Sequence, residues 1–285
     1  MSTQSTAPST APSTALQNFD LSGKVALITG STAYIGRASA HKLASLGATV
    51  VINGRNKEAG ATVVEEITQA GGSAIFEQAD LTQADAMAQM ADRIVERLGK
   101  IDILVASGAG ASQDSLPFRL FQEMSTDDLD YYIKTHWLTR AYALKAVTPH
   151  MTKAGGGKVV LVGTDAGRIA TVGESMIGGS TAGMMQMSRA LARELGRDKI
   201  RINAVSMSFI SDAIPRWGDS SEPLQDETDA DGNHKKGMLD KLKKRMIFDV
   251  QCEDIAETIA FFASPASDAI TGQTLSVNGG LSTPG

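Results

Sequence analysis

The sequence predicts an α/β protein, a doubly wound parallel sheet of about seven strands with helices on both faces. Two observations lead there. From Lys24 onward, short β-branched runs alternate with longer stretches of helical period, and the first run opens into a glycine-rich turn before the first helix. Composition agrees with one such domain, since 285 residues, 42% hydrophobic and 21% charged, hold ample material for a single core.

The elements follow in order. Lys24–Thr29 (KVALIT) reads as a strand and leads into a helix to about Leu46; Thr49–Asn53 (TVVIN) as a second, with a helix through Ala70. Ser73–Gln78 (SAIFEQ) precedes a helix through Leu98, and Ile101–Ala106 (IDILVA) completes a βαβαβαβ run. One long helix is expected from about Thr126 to Met151, then the strand Gly157–Gly163, a helix from Ser175 to about Gly196, and the strand Ile200–Ser206. Between Phe209 and Phe248 the pattern breaks into a polar stretch and a basic amphipathic segment. Ligands of open α/β sheets sit outside the carboxyl ends of the strands, so an insertion near 210–248 is expected to overhang the site as a lid.

Residues 1–18 (MSTQSTAPSTAPSTALQN) carry no charge and little to bury, which predicts a disordered tail ahead of a single domain over 19–285. The tail lacks the basic start and apolar run of a secretory signal and the arginines of a mitochondrial presequence, and no later stretch is apolar enough to span a bilayer. A net charge of -5 argues against a nucleic-acid partner. The lone Cys252 forbids an internal disulfide, and Cys and His show no zinc-ligand spacing, which fits a cytoplasmic protein without a structural metal.

The turn Thr29-Gly30-Ser31-Thr32-Ala33-Tyr34-Ile35-Gly36 lets the backbone approach a pyrophosphate at a helix N-terminus. Here the chain resembles the short-chain dehydrogenase/reductase family, a Rossmann-type fold whose turn is Thr-Gly-x-x-x-Gly-x-Gly. The resemblance runs from about Leu21 to the end and includes the last-strand motif Gly272-Gln273-Thr274-Leu275-Ser276-Val277-Asn278-Gly279-Gly280. It implies that Gly30, Ser31, Ile35, Gly36, Arg55, Asp80 and Leu81 form the nucleotide side, with Arg55 after the second strand favouring NADP. The middle glycine is Tyr34, whose phenol is expected to crowd the phosphates or the nicotinamide ribose. The same turn also resembles the anion site of halohydrin dehalogenases, a cofactor-free branch. For Arg55 and Asp80 the plainer alternatives are an exposed arginine and a helix-capping aspartate.

The family's chemistry positions have changed. Asn-Asn-Ala-Gly after the fourth strand is Ala106-Ser107-Gly108-Ala109, the catalytic asparagine falls on His136, and the carbonyl-polarising serine falls on Thr164. The tyrosine and lysine of Tyr-x-x-x-Lys fall on Ile177 and Thr181, and the Pro-Gly that meets nicotinamide is Met207-Ser208. Ile177 cannot accept the proton that carbinol oxidation releases. The run Asp165-Ala166-Gly167-Arg168, followed by Gly173-Glu174, resembles dehydrogenases of 3-hydroxyacyl-CoA thioesters in aromatic and alicyclic degradation, such as 2-hydroxycyclohexanecarboxyl-CoA and hydroxybenzylsuccinyl-CoA dehydrogenases. Some of these pair an active subunit with a degenerate one.

Three readings follow: a non-catalytic subunit of an oligomer with an active paralogue, a non-redox enzyme (dehydratase, isomerase or retro-aldol lyase), and an NADP-binding sensor. The substrate pocket expected under any of them holds Tyr34, Asp165, Arg168, Glu174 and Met207. The basic residues Lys235, Lys236, Lys241, Lys243, Lys244 and Arg245 either meet the phosphates of a CoA thioester or form a solvated face. A dimer or tetramer is expected through the helix Ser175–Ala192, whose methionines sit among Gly178, Gly179, Ala182 and Gly183. The Gly183→Glu substitution should then break assembly while sparing the fold.

Overall fold

The computed structural model describes residues 18–108, 119–213, 227–228, 234–235 and 244–283. Seven strands form the main sheet: β1 (Val25–Thr29), β2 (Thr49–Gly54), β3 (Ser73–Gln78), β4 (Ile103–Ala106), β5 (Gly157–Thr164), β6 (Ile200–Met207) and β9 (Thr274–Val277). They run parallel in the order β3-β2-β1-β4-β5-β6-β9, as the alternating pattern predicts. The order reverses between β1 and β4, which opens a crevice at their carboxyl ends. Register sets the far wall of that crevice by pairing Thr164 with Met207, and Met207 with Val277.

Helices α1 (Tyr34–Ser45), α2 (Lys57–Gln69) and α7 (Cys252–Ala263) cover one face; α3 (Ala84–Leu98), α5 (Thr139–Lys153) and α6 (Ser175–Glu194) cover the other. Each face has its own apolar cluster. Ile28, Leu43, Ile52, Val105 and Ile259 are fully buried in the first, and Leu27, Met90, Leu104, Val147 and Ile202 in the second. Adjacent residues of one strand feed opposite clusters, as the two-residue period of a strand requires.

The long helix is not uniform. It runs as α4 (Thr126–Ile133), a π turn over Lys134–Leu138 and then α5. The Thr139 N–H reaches back to the Lys134 carbonyl, and two side-chain donors occupy one carbonyl of the widened turn: Thr139 Oγ1 lies 2.9 Å from Thr135 O, and Arg140 Nη1 lies 2.7 Å from the same oxygen. A single π turn inside a helix often marks a functional position, and this one centres on His136.

Helix α6 corrects one expectation. Ile177, Met184 and Met185 belong to the chain's own core, and a Cβ on Gly183 would lie 2.8 Å from the Trp137 ring of the π turn. Gly183 therefore serves packing within the chain, and a glutamate there would damage the fold. The outward stripe of α6 is instead Ser175, Gly179, Ala182 and Gln186, and nothing lies within 4 Å of a Cβ placed on Gly179.

Of the insertion, the described residues include an antiparallel pairing of β7 (Glu227–Thr228) with β8 (His234–Lys235), and the chain from Lys244 onward. The expected lid otherwise lies outside the described residues, as do 1–17 of the expected tail. The Asn18 carbonyl accepts a hydrogen bond from Ala266 N at 3.0 Å, so the body begins one residue earlier than composition indicates. Among the described residues no helix is long and apolar enough to cross a membrane.

Candidate functional site

The crevice starts at the glycine turn after β1. Gly30 has φ +61°, and a Cβ there would stand 2.7 Å from the Gly108 backbone, so the loops after β1 and β4 touch where only glycines fit. Gly36 is constrained in the same way, because its Cβ would collide with the Gly30 carbonyl. This is the close backbone packing that a phosphate-binding turn needs.

The side chains around it are committed differently from what the motif implies. Ser31 is fully buried; its hydroxyl donates to Ile28 O at 2.7 Å and accepts from Asn53 N at 3.0 Å. Asn53, also fully buried, accepts from Gly30 N at 3.3 Å and donates to Glu77 O and Ala79 O, tying the turn to β2 and β3. Ser31 thus supports the turn through its side chain, and its N–H is committed too, donating to Asn53 O at 2.9 Å. Tyr34 sits at φ +47°, a left-handed conformation that glycine adopts without strain, and its half-buried ring packs against the cluster beneath α1 and α7. Ile35 packs beside it. Arg55 is exposed at the end of β2. Asp80 accepts from Thr82 N at 2.9 Å and Thr82 Oγ1 at 2.8 Å, a local turn ahead of α3, while Leu81 is buried against Gly108.

Across the crevice, Thr164 ends β5, and its hydroxyl accepts from Ala166 N at 3.3 Å. The next turn of chain lies directly on α6, since Gly178 packs on the Ala166 carbonyl and Gly167 on the backbone of Thr181 and Ala182. Ile177 is 8% exposed and Thr181 2% exposed, with the Thr181 methyl against Gly163 of β5. His136 is half-buried; its Nδ1 lies 3.3 Å from Thr135 Oγ1, and its ring meets Tyr132 edge-on at 5.8 Å.

Two buried charges organise this end of the sheet. Asp165 is 3% exposed, and its carboxylate accepts from Ser206 Oγ at 2.5 Å, Ser276 Oγ at 2.6 Å, Asn278 Nδ2 at 2.6 Å and Ser208 Oγ at 3.2 Å. Expected in the substrate pocket, it is instead a fully bonded anion joining the ends of β5, β6 and β9. Arg168 extends the same network, with Nη1 2.9 Å from Ser276 Oγ. Arg140, which motif reasoning missed, is 7% exposed; it donates to Val162 O, Gly108 O, Thr135 O and Thr139 Oγ1 at 2.7 to 3.3 Å. It ties β5, the loop after β4 and the π turn together beneath the crevice.

Glu174 begins α6, one turn before Ile177. Its carboxyl has no partner among the described residues, and burial pushes its pKa up to about 7. Met207 lies half-buried at the end of β6. Among the described residues no group of three His, Cys, Asp or Glu side chains could hold a metal ion.

The backbone of this site has relatives in sequence and in structure. The family described as Enoyl-(Acyl carrier protein) reductase matches residues 30–282. The 3-oxoacyl-(acyl-carrier-protein) reductase FabG of Staphylococcus aureus (strain Mu50) is 32% identical over 265 residues, covering 90% of this chain and 98% of its own. The structure of a 7α-hydroxysteroid dehydrogenase complexed with NADH and 7-oxoglycochenodeoxycholic acid superposes with a TM-score of 0.80 at 28% identity, over 93% of this chain and 96% of that one. A gluconate 5-dehydrogenase of Burkholderia cenocepacia in complex with NADP and tartrate gives 0.78 at 26% identity, over 94% and 98%. The crevice at the β1–β4 switch point, its glycine packing and these matches over nearly the whole chain agree: the chain belongs to the short-chain dehydrogenase/reductase family.

Proposed function

We propose that this chain is the non-catalytic member of a hetero-oligomeric NAD(P)-dependent 3-hydroxyacyl-CoA dehydrogenase of aromatic or alicyclic catabolism, assembled with a paralogue that carries the intact tyrosine and lysine. One observation carries the reading: the two proton-transfer positions hold Ile177 and Thr181, both buried, with Thr181 pressed on Gly163. Neither takes up a proton at working pH. Losing general acid–base assistance lowers the rate by about a hundredfold to ten-thousandfold, or about 3 to 5 kcal/mol of barrier. The FabG relative is by name a 3-oxoacyl-(acyl-carrier-protein) reductase, which supports an acyl substrate.

The backbone of the Gly30–Gly36 turn suits a dinucleotide, and Ile35, Arg55, Asp80 and Leu81 are the residues that would flank it. The bound nucleotide supplies hydride chemistry in this family; here Tyr34, at φ +47° in place of the middle glycine, would crowd it. Thr164 retains a hydroxyl at the carbonyl-polarising position, and His136 faces Tyr132. The exposed Lys244 and Arg245 would meet the phosphates of CoA, whereas Lys236, Lys241 and Lys243 of the same run lie outside the described residues. The small outward residues of α6 suit close contact with a second subunit.

The test is co-purification with the paralogue and assay of each alone and together. The isolated chain should show no NAD(P)-dependent oxidation of 3-hydroxyacyl-CoA esters; turnover above about 1 per second would overturn the reading. A light-scattering mass of one chain, alone and mixed with the paralogue, removes the subunit role. The non-redox reading then stands on Glu174, whose carboxyl has no partner among the described residues and whose pKa of about 7 suits a general base or acid at neutral pH.

A further inference from the structure

The opposite end of the sheet, away from the nucleotide crevice, holds a second cleft. It has a volume of about 520 Å³ and lies at the amino ends of β1, β4, β5 and β6, floored by the glycine turn 155–157. Lys24, Lys158, Lys199 and Arg201 line it, against the carboxylates of Asp20, Asp102 and Asp268. In a chain of net charge -5, this is a local reversal of sign.

The ion pairs leave positive charge in surplus. Lys158 and Arg201 share one carboxylate, Asp268, at 3.0 and 3.3 Å. Asp102 is likewise shared, by Lys24 at 3.6 Å and by Lys100 at 3.0 Å, and its Oδ2 also accepts from Val25 N at 2.8 Å. Asp20 is turned to Ser22, bonded by both its N–H and its hydroxyl. Lys158 and Arg201 are well covered, with side chains 21% and 13% exposed, whereas the Asp268 they share is 62% exposed and so screened by water. Burial, and then the positive charges of Arg201 and Lys24, hold the Lys158 ammonium below its ordinary range, although Asp268 pulls the other way.

The backbone adds a second feature. Lys199 has φ +56°, where glycine is the unstrained choice, and the turn beneath packs on it: a Cβ on Gly156 would lie 2.9 Å from the Lys199 carbonyl. Lys199, itself exposed, is thus anchored through its backbone at the rim of the cleft that Lys158 and Arg201 also line; these two share a single acid, and Arg201 also donates to Ile270 O at 3.0 Å and Phe262 O at 3.3 Å. A compact dianion placed there would gain charge-assisted hydrogen bonds and relieve the mutual repulsion of these cations.

We propose that this rear cleft binds a phosphate group, held by Lys158, Arg201 and Lys199. The group is either free phosphate or the terminal phosphate of an ester.

Isothermal titration of inorganic phosphate, and separately of glycerol 3-phosphate, into the full chain at low ionic strength tests the proposal. Saturable binding of one anion per chain is expected, competed by sulfate and not reproduced by chloride at matched ionic strength. Lys158→Met keeps the apolar stem, and Lys199→Gly removes the cation while relaxing the backbone; each should weaken binding by about tenfold or more. Thermal unfolding without anion checks that both variants are folded. Tighter binding of inorganic phosphate assigns the free anion as ligand, and tighter binding of the ester assigns an ester. Non-saturable heats, equal heats with chloride, or saturable binding unchanged in both folded variants would each overturn the proposal.

Discussion

Glu174→Gln isolates the least comfortable group at the mouth of the crevice. The carboxyl sits at the start of α6 with no partner among the described residues, and burial moves its pKa from 4.5 to about 7. The folded chain therefore holds this proton more tightly than the unfolded chain does. Stability is lost as pH rises from about 4.5 to 7, because folding must then retain or recapture a proton that the unfolded chain has released. At about 1.4 kcal/mol per tenfold change in proton affinity, the full displacement is worth about 3 kcal/mol at pH 8, an upper value for a side chain that keeps some solvent. Glutamine has the same shape and never ionises. The variant should match the parent near pH 4.5 and exceed it by up to about 3 kcal/mol at pH 8, or about 6 °C in Tm for a chain of this size. Asp20, Glu66 and Asp128, whose pKa values are lowered by hydrogen bonds, act below this window and cancel in the difference. The assay is thermal unfolding of both chains at half-unit steps from pH 4.5 to 8.5. Parallel curves for parent and variant across that range would refute the burial argument, and with it the use of Glu174 as a neutral-pH acid or base.

Three further outcomes follow from the packing. Arg140→Met should lower stability by about 3 kcal/mol, because the Val162, Gly108 and Thr135 carbonyls lose their shared donor; urea denaturation showing less than about 1 kcal/mol would mean that water replaces the guanidinium. Tyr34→Gly exchanges about 1 to 2 kcal/mol of left-handed strain for lost ring contact, so stability should stay within about 1 kcal/mol while calorimetry shows tighter NADPH binding. Low-micromolar binding by the parent would defeat the crowding argument. Gly179→Glu points into open space on the outer stripe of α6 and should leave monomer stability equal or up to about 1 kcal/mol higher while reducing the light-scattering mass to that of one chain. An unchanged oligomer would place the interface elsewhere.

The sheet was legible in the sequence because its signals are local and repeated: each strand is a β-branched run, each helix a longer period, and the switch point announces itself by a glycine turn. The side-chain roles were less legible because they depend on what meets them in space. Ser31 reads as a phosphate ligand in the motif, yet Asn53, on the neighbouring strand, makes its hydroxyl structural. The apolar face of α6 reads the same whether it meets the chain's own core or a second subunit, and only the position of Trp137 assigns Gly183 to the former. Arg140 left a trace that pattern reading can use: it lies on the stripe of α5 that continues through Ala143, Leu144, Val147 and Met151, where a charge must find buried partners. The π turn has no comparable signature, since Lys134–Leu138 fits an ordinary helical period.

The Asp165 cage also changes how the edge of the sheet should move. Strand β9 is a short outer strand with one neighbour, the kind that ordinarily opens independently of the core. Yet Ser276 and Asn278, at its end, supply two of the donors around a carboxylate that β6 also holds. Peeling β9 away would strand an anion that is 3% exposed with half its hydrogen bonds broken. The two strands are therefore expected to open as one unit, so amide hydrogens of Leu275 and Val277 should exchange in step with those of neighbouring β6, and the wall of the crevice should behave as interior although its outermost strand faces water.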